Sequence, residues 1–155
     1  MLFRSIVPCP SYAIARADSF SINEKTTICY NRLAAPSAEY LHNYLKDFLL
    51  INTTMIEAGP GNSRIPNDNV IVLDAYMQDR IEKGYRLIAD PRRISISGSE
   101  EGVFYGIQSL IQMLPEHAGS AKIAGISIYD SPRFDYRGLH LDCCRHFFPV
   151  SFVKK

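Results

Sequence analysis

The stretch YRLIADPRRISISGSEEGVFYGIQSLIQML, residues 85 to 114, decides the fold class because a strand pattern in it is followed directly by a helix pattern. Its first half places apolar residues at alternate positions on both sides of Asp90-Pro91, a dipeptide typical of turns. The alternating residues are Tyr85, Leu87 and Ala89 before the turn and Ile94 and Ile96 after it. This half of the stretch predicts a β-hairpin.

The second half predicts an amphipathic helix that packs closely on a sheet. Ser99 is suited to cap its N-terminus, the two glutamates that follow complement the positive end of the helix dipole, and Pro115 prevents its continuation. Gly102 and Gly106 lie four residues apart on this helix, where each glycine costs about 1 kcal/mol relative to alanine. We interpret both as positions where the helix approaches the sheet closely, and not as a cradle for a ligand. The apolar residues at helical spacing are Val103, Phe104, Ile107, Leu110, Ile111 and Leu114.

Outside this stretch the sequence predicts one further helix and several strands. Residues 36–50 carry apolar pairs four residues apart, with a proline in the first turn, and predict a helix. Residues 20–30, FSINEKTTICY, alternate around a polar centre and predict a second hairpin. Further strands are predicted at 54–57, 70–73 and 123–129. We therefore expect an α+β fold in which a mixed or antiparallel sheet carries two helices on one face.

The composition indicates one globular domain without a strongly charged partner. The chain has 155 residues, and 17 basic against 16 acidic side chains give a net charge of +1. This charge suggests neither nucleic acid nor an anionic membrane as a partner. The sequence holds no apolar run of the roughly 18 residues that a membrane helix needs, and its start, MLFRSIVPCP, lacks the apolar core of a signal peptide.

The four cysteines do not predict a zinc site. Cys9, Cys29, Cys143 and Cys144 include no CxxC pair, and the last two are adjacent. The spacing leaves a disulfide between Cys9 and Cys29 open as an alternative, and we favour four free thiols.

The segment PRFDYRGLHLDCCRHFFP, residues 132 to 149, places five chemically reactive or charged side chains in direct succession, at positions 142 to 146. Residues 136–142 alternate in the manner of a strand. Because neighbouring positions on a strand face opposite ways and the sequence offers no second cluster of ligands, we expect no metal site here. A cysteine nucleophile with His146 as its base lacks a third residue to orient the histidine. The metal-ligating residue types in the segment are His140, Asp142, Cys143 and His146.

A structural interpretation also accounts for the end of the sequence. Asp142 and Arg145 are suited to an ion pair at the end of a strand, with His146 packed beside the two phenylalanines that follow it. Residues 149–155 have the pattern of the opening turn of another helix. Because a domain rarely ends in the first turn of a helix, we expect these residues to be the truncated beginning of a further unit.

These motifs resemble a known family. The run SPRFDYRGLHLDCCRHFFPVSFVKK is similar to the start of the catalytic barrel of family-20 glycoside hydrolases, the β-N-acetylhexosaminidases, in which PRF, a strand RGxxLDxxRHF and a first helix follow in order. YRLIADPRRISISG and EEGVFYGIQSLIQML resemble the hairpin and second helix of the small α+β domain before that barrel. The resemblance implies two parts: a small domain at 1–130, and at 131–155 the first strand and helix start of a truncated (β/α)8 barrel. The pair Cys143-Cys144 departs from the family pattern.

The resemblance implies a retaining hydrolase that removes terminal β-linked N-acetylglucosamine or N-acetylgalactosamine without a metal or cofactor. In this family the acetamido oxygen of the substrate attacks the anomeric carbon, which requires a glutamic acid and a neighbouring aspartate. Both lie beyond the first barrel strand in the family, so we expect no catalytic residue among these 155. Arg137 matches a sugar-binding arginine. The residues that match the motif as supports of the site are Asp142, Arg145 and His146.

The expected partners are a glycan with a terminal N-acetylhexosamine and the protein's own catalytic barrel. The resemblance suggests a periplasmic or secreted location. We expect this chain alone to be inactive and to support the barrel, with its exposed apolar tail either disordered or paired with a second molecule in a dimer. The rival hypothesis is a free-standing sugar-binding module with exposed tyrosines. The tyrosines at 40, 44 and 105 lie on or beside apolar helix stripes, which favours their burial in the core.

Overall fold

A computed structural model describes most of the chain, in an α+β fold of seven strands and three helices within the described residues. The strands are β1 (Tyr12–Ile22), β2 (Thr27–Tyr30), β3 (Thr54–Glu57), β4 (Val70–Ala75), β5 (Tyr85–Ala89), β6 (Arg93–Gly98) and β7 (Ala121–Asp130). The helices are α1 (Ala35–Leu49), α2 (Glu100–Gln112) and the single turn α3 (Val150–Val153). The described residues are 6–59, 65–76, 83–115, 121–134, 136, 138, 140–142 and 147–154.

The seven strands form one mixed sheet in the order β1-β7-β5-β6-β4-β2-β3. Strands β1, β7, β5 and β6 pair antiparallel, whereas β6, β4, β2 and β3 pair in parallel. The hairpin predicted around Asp90-Pro91 is confirmed as β5 and β6, with Leu87 opposite Ile96. Asp90 closes its turn, since its carboxylate accepts hydrogen bonds from the backbone of Arg92 and Arg93 at 2.9 Å each.

The hairpin predicted at residues 20–30 is wrong. Strand β1 pairs with β7 at one edge of the sheet, while β2 lies between β4 and β3. The polar residues between them do form a turn, but Thr26 Oγ1 donates to Asn69 Oδ1 at 2.6 Å and so ties that turn to the start of β4. Alternating apolar residues specify which face of a strand is buried and not which strand lies beside it, so the pattern alone misassigned the pairing.

Both main helices lie on one face of the sheet, as predicted, and they contact each other as well as the strands. The core between the helices and the sheet is fully apolar at its centre, and each leucine or isoleucine buried there contributes about 1.5–3 kcal/mol. The residues at its centre, each with no exposed surface, are Leu41 and Leu45 of α1, Val103, Ile107 and Leu110 of α2, and Ile71, Leu87, Ile94 and Ile96 of the sheet.

Helix α2 begins and ends as the sequence predicts. The side chain of Ser99 accepts a hydrogen bond from the backbone N–H of Gly102 at 3.0 Å, and the helix stops before Pro115. A Cβ atom added at Gly102 would overlap the carbonyl oxygen of Gly84, and one added at Gly106 would collide with Ile96. The expected close approach of helix and sheet is therefore confirmed at both glycines.

Described residues after β7 contribute little to this core. Leu141 and Phe152 are exposed, and α3 lies where the sequence predicts the opening turn of a helix. Tyr136, Gly138 and residues 140–142 are described outside any strand, and the positions between them fall outside the described residues. The first barrel strand and the domain boundary at residue 131 therefore stay predictions.

The structure also describes two of the four cysteines and the apolar character of the helices. Cys9 and Cys29 are free thiols, with Cys9 exposed and Cys29 buried. Burial raises the pKa of the Cys29 thiol, and the nearby Arg93 guanidinium lowers it by a smaller amount. Among the helices in the described part of the chain, none has the length and apolar character to span a membrane.

Candidate functional site

Most of the residues predicted to belong to a catalytic centre lie outside the described residues. Arg137, Arg145 and His146 are among those positions, as are Cys143 and Cys144. Asp142 is described and is exposed. The proposed grouping of Asp142 with Arg145 and His146, and the sugar-binding role of Arg137, therefore stay predictions. Over the described ranges, no group of three or more His, Cys, Asp or Glu side chains is arranged to hold a metal ion.

The described residues enclose a cavity of about 390 Å³ beside α2, which we call the α2 cavity. Its walls come from parts of the chain that are distant in sequence: residues 6–8, the start of β5, one side of α2, and the segment that follows β7. The lining residues with polar side chains or aromatic rings are Lys83, Tyr85, Tyr105, Gln108, Ser109, Gln112, Asp130, Ser131, Phe134 and Tyr136.

Two sets of hydrogen bonds fix the N-terminal wall of the cavity. The backbone N–H of Val7 donates to Gln112 Oε1 at 2.7 Å, and Gln112 Nε2 donates to the Val7 carbonyl at 3.2 Å. The backbone N–H and the hydroxyl of Ser11 both donate to Asp130 Oδ1, at 3.0 and 2.9 Å. The start of the chain is thus joined both to the end of α2 and to the end of β7.

A pair of hydroxyl groups lies in the buried part of the cavity. The hydroxyls of Tyr85 and Ser109 are 2.6 Å apart, and both residues are buried. Burial raises the pKa of Tyr85 to about 12. The hydrogen bond with Ser109 offsets only part of this desolvation, and the charge of Asp130 adds to the rise. The phenol is therefore neutral at physiological pH.

Gln108 differs from the other polar groups of the cavity. Its side-chain nitrogen Nε2 is buried, and it has no hydrogen-bond partner among the described residues. Gln112, one turn further along the same helix, exchanges two hydrogen bonds with Val7. A buried amide nitrogen without an acceptor is uncommon, because leaving such a donor unpaired is costly.

A second feature of the helices is an aromatic face, formed by Tyr40, Tyr44, Phe48, Phe104 and Tyr105, none of which is fully buried. The rings form two groups of contacts. The ring centroids of Tyr44 and Phe48 are 4.7 Å apart in a stacked arrangement. The centroid of Phe104 lies 5.4 Å from that of Tyr40 and 6.3 Å from that of Tyr105. Phe48 is 67% exposed. The expected core burial of the three tyrosines is wrong for Tyr40 and Tyr105, which are exposed, while Tyr44 is partly buried.

The reason for this error is the width of the apolar stripe on α1. Leu41, Leu45 and Leu49 fill the side that faces the sheet, so the aromatic residues one position before each leucine lie on the flank. A helix presents only part of its circumference to one sheet, and a wider apolar stripe leaves a second surface uncovered.

Comparison with known proteins connects this fold with a family. The family model described as glycosyl hydrolase family 20, domain 2, matches residues 4–131. The chain belongs to glycosyl hydrolase family 20. Its matched domain is called the family-20 domain below.

Curated relatives carry a consistent name. A beta-hexosaminidase of Porphyromonas gingivalis is 35% identical over 97% of this chain, and beta-hexosaminidase subunit beta of Mus musculus is 34% identical over 98% of it. The alignments cover 20% and 30% of these two relatives, so the chain spans less than a third of their length.

Solved structures share the fold. The family-20 β-N-acetylhexosaminidase of Streptomyces coelicolor A3(2) aligns with a TM-score of 0.79 and 26% identity, covering 97% of this chain and 31% of that chain. The family-20 exo-β-N-acetylglucosaminidase of Vibrio harveyi, as an inactive mutant, aligns with a TM-score of 0.76 and 26% identity over 99% of this chain.

Sequence reasoning missed the α2 cavity of the family-20 domain. Its polar groups, Tyr85, Gln108 and Asp130, come from three elements that no spacing rule connects. One weak signal was present, because Gln108 and Ser109 interrupt the apolar stripe of α2 between Ile107 and Leu110. Two polar residues within a buried apolar stripe indicate polar contacts on that side of the helix, but they do not show which other elements supply those contacts.

Proposed function

We propose that this chain is the small, non-catalytic domain of a β-N-acetylhexosaminidase, an enzyme that removes terminal β-linked N-acetylglucosamine or N-acetylgalactosamine from glycans. The observation that carries this proposal is the match of the family-20 domain model to residues 4–131. The name shared by relatives that align over nearly the whole chain supports it.

Catalysis in the whole enzyme is proposed to follow the substrate-assisted route of this family. The acetamido oxygen of the sugar attacks its own anomeric carbon, and a glutamic acid supplied by the barrel protonates the leaving oxygen. A neighbouring aspartate orients the acetamide and stabilises the charge that develops on it. In this scheme Arg137 binds hydroxyls of the terminal sugar, and Asp142, Arg145 and His146 support the site.

The family-20 domain is proposed to pack on the catalytic barrel through its aromatic face. Phe48 is 67% exposed and stacks on Tyr44, and the rings of Tyr40, Phe104 and Tyr105 form a second group of contacts on the same two helices. An exposed apolar surface of this kind indicates an interaction site. The sheet behind the two helices would then hold them in a fixed position against the barrel, in a periplasmic or secreted enzyme.

Isolation of the chain from the barrel is proposed to expose a second apolar surface. Phe147 is 84% exposed and Phe152 58% exposed. Such side chains favour association between copies, so we propose a concentration-dependent dimer for the 155-residue chain. Sedimentation equilibrium tests this, and Phe147→Ser with Phe152→Ser should shift the equilibrium to monomer.

The test of the proposed function compares hydrolysis of a chromogenic β-N-acetylglucosaminide by this chain and by the product of the uninterrupted reading frame. We expect hydrolysis by the longer protein alone. In the longer protein Arg137→Ala should lower kcat/KM by about 100-fold, since it removes a charged hydrogen-bond donor to the sugar. Activity in the 155-residue chain, or an inactive longer protein that is folded, contradicts the proposal.

A further inference from the structure

Strand β1 forms one edge of the sheet, and its outer side is open. In the part of the chain that the structure describes, β1 pairs with β7 on one side and with no strand on the other. The strand has 11 residues, and on it Tyr12 is 49% exposed and Ile14 is 48% exposed. A long edge strand with exposed apolar residues is a template on which another chain can pair. The opposite edge, β3, has four residues, and such short edge strands limit pairing by their length alone.

The middle of β1 departs from regular pairing. The register with β7 stops after Ala15 and resumes at Ser19, so the three residues between them lie opposite a single residue, Gly125. A bulge of this kind bends the strand and interrupts the row of backbone N–H and C=O groups that a further strand would need. The last residue of the bulge is Asp18.

The carboxylate of Asp18 points inward, over β7. Its Oδ1 atom is buried and has no hydrogen-bond partner among the described residues. A Cβ atom added at Gly125 would overlap this oxygen, so the carboxylate fills the space that a side chain on β7 would otherwise take. The second oxygen, Oδ2, lies 3.6 Å from Arg16 Nε, and the side chains of Asp18 and Arg16 are 28% and 47% exposed. Water screens an ion pair this exposed, and it contributes little to stability.

This arrangement is costly for the domain itself. A buried carboxylate oxygen without a donor destabilises the fold, and aspartate is among the residues least suited to a strand. Gly125 weakens β7 as well, because it has no side chain to pack. A charge that destabilises its own strand has a physical use at an edge, where inward-pointing charged residues prevent pairing with another chain. We propose that Asp18 closes the β1 edge against the same strand of a second copy of this chain.

The closing effect comes from desolvation. Water reaches the side chain of Asp18, which is 28% exposed. A second strand on this edge would exclude that water and bury the charge completely, and the ion pair with Arg16 is too weak to offset the cost. Pairing of two identical edges would also bring two such carboxylates into one interface, where they repel each other.

The test measures self-association of the 155-residue chain by sedimentation velocity. All proteins compared carry Phe147→Ser and Phe152→Ser, so that the association proposed for those two rings is removed. Asp18→Val removes the charge and supplies a side chain that favours strands. We expect this variant to associate at least about tenfold more tightly than its parent. At a concentration where it is monomeric, its melting temperature should be about 3 °C higher, because the unpaired carboxylate is gone.

Two further variants assign the association to Asp18 and to the β1 edge. Ser21→Val places the same side chain at an exposed position of β1 without removing a charge, and it should leave association at the level of the parent. Ile14→Lys combined with Asp18→Val should return the chain to the monomer, because lysine on an edge strand blocks pairing.

Four results would overturn the proposal. They are unchanged association of the Asp18→Val variant, equal association of the Ser21→Val variant, association that persists when Ile14→Lys is added, and a lower melting temperature of Asp18→Val. The last result would mean that the carboxylate stabilises the fold. None of these measurements depends on hydrolysis by the longer protein, so failure of this proposal is distinguishable from failure of the proposed function.

Discussion

The chain contains two regions of opposite character, which divide near the end of β7. Before that point the described residues include a core of apolar side chains from the sheet and the helices with no exposed surface, such as Leu87, Ile96 and Ile107. After it most of the described apolar side chains are exposed, with Phe147 at 84%. Both regions are equally apolar in sequence, so the difference lies in partners and not in composition. We propose that the second region finds its packing partners in the catalytic barrel of the longer protein.

The largest expected effect on the free energy of unfolding distinguishes the two regions through one alanine substitution in each. Leu87→Ala removes a side chain with no exposed surface and should lower the free energy of unfolding by about 2–5 kcal/mol. Phe147→Ala removes an exposed ring and should change it by less than about 0.5 kcal/mol. Urea denaturation followed by circular dichroism measures both. A comparable loss in the two variants would mean that the tail packs on the domain after all.

The next effect concerns the close approach of α2 to the sheet. Alanine in place of glycine usually stabilises a helix by about 1 kcal/mol, but at Gly102 the added Cβ overlaps the carbonyl oxygen of Gly84. Gly102→Ala should therefore destabilise the domain by about 1–3 kcal/mol. Glu101→Ala, at the exposed neighbouring position, is the control and should cost about 0.3–1 kcal/mol through the helix dipole. A stabilised Gly102→Ala variant would contradict the described packing.

A third effect tests the buried hydroxyl pair through pH. The folded-state pKa of Tyr85 is about 12, above the value of about 10 in an unfolded chain. The neutral phenol therefore stabilises the fold fully below about pH 10, and this contribution is lost as the pH rises towards 12. We expect unfolding free energy to fall by about 1 kcal/mol per pH unit in that window. In the Tyr85→Phe variant the unfolding free energy should fall less steeply with pH in this window. An unchanged dependence on pH in that variant would mean that other groups cause the fall.

The smallest effect on stability is expected on the aromatic face. Phe48→Ser should alter the unfolding free energy of the 155-residue chain by less than about 0.5 kcal/mol, because the ring is mostly exposed. In the longer protein the same change should lower the melting temperature, since it removes an apolar contact with the barrel. Differential scanning calorimetry of both proteins measures this contrast. An equal response in both would remove the support for an interface at this face.

Local patterns predicted the local structure well. Three features depend on neighbours within a few residues and can be read from the sequence. They are the two helices, the hairpin of β5 and β6, and the cap at Ser99. Gly102 and Gly106 were also interpreted correctly, because glycine in a helix has few explanations other than close packing.

The pairing of β1, the exposure of Tyr40 and the α2 cavity could not be predicted in the same way. Each depends on which distant segments meet: β1 pairs with β7, and the cavity joins residues 6–8 to the segment after Asp130. Periodicity predicts which face of an element is buried, but it does not predict which elements pack on that face or how much of its apolar surface they bury. The sugar-binding role of Arg137 and the supporting roles of Asp142, Arg145 and His146 came from the family resemblance alone, and they stay predictions.

The most direct test of whether the C-terminal region belongs to a barrel is hydrogen exchange of its backbone amides. Exchange is measured at residues 140–142 and 147–154, in this chain and in the longer protein. We expect rapid exchange in a monomeric sample of the 155-residue chain and strong protection in the longer protein, because only the latter supplies the missing sheet and helix partners. Strong protection in a proven monomer of the short chain would contradict the account, since these residues would then belong to the small domain itself.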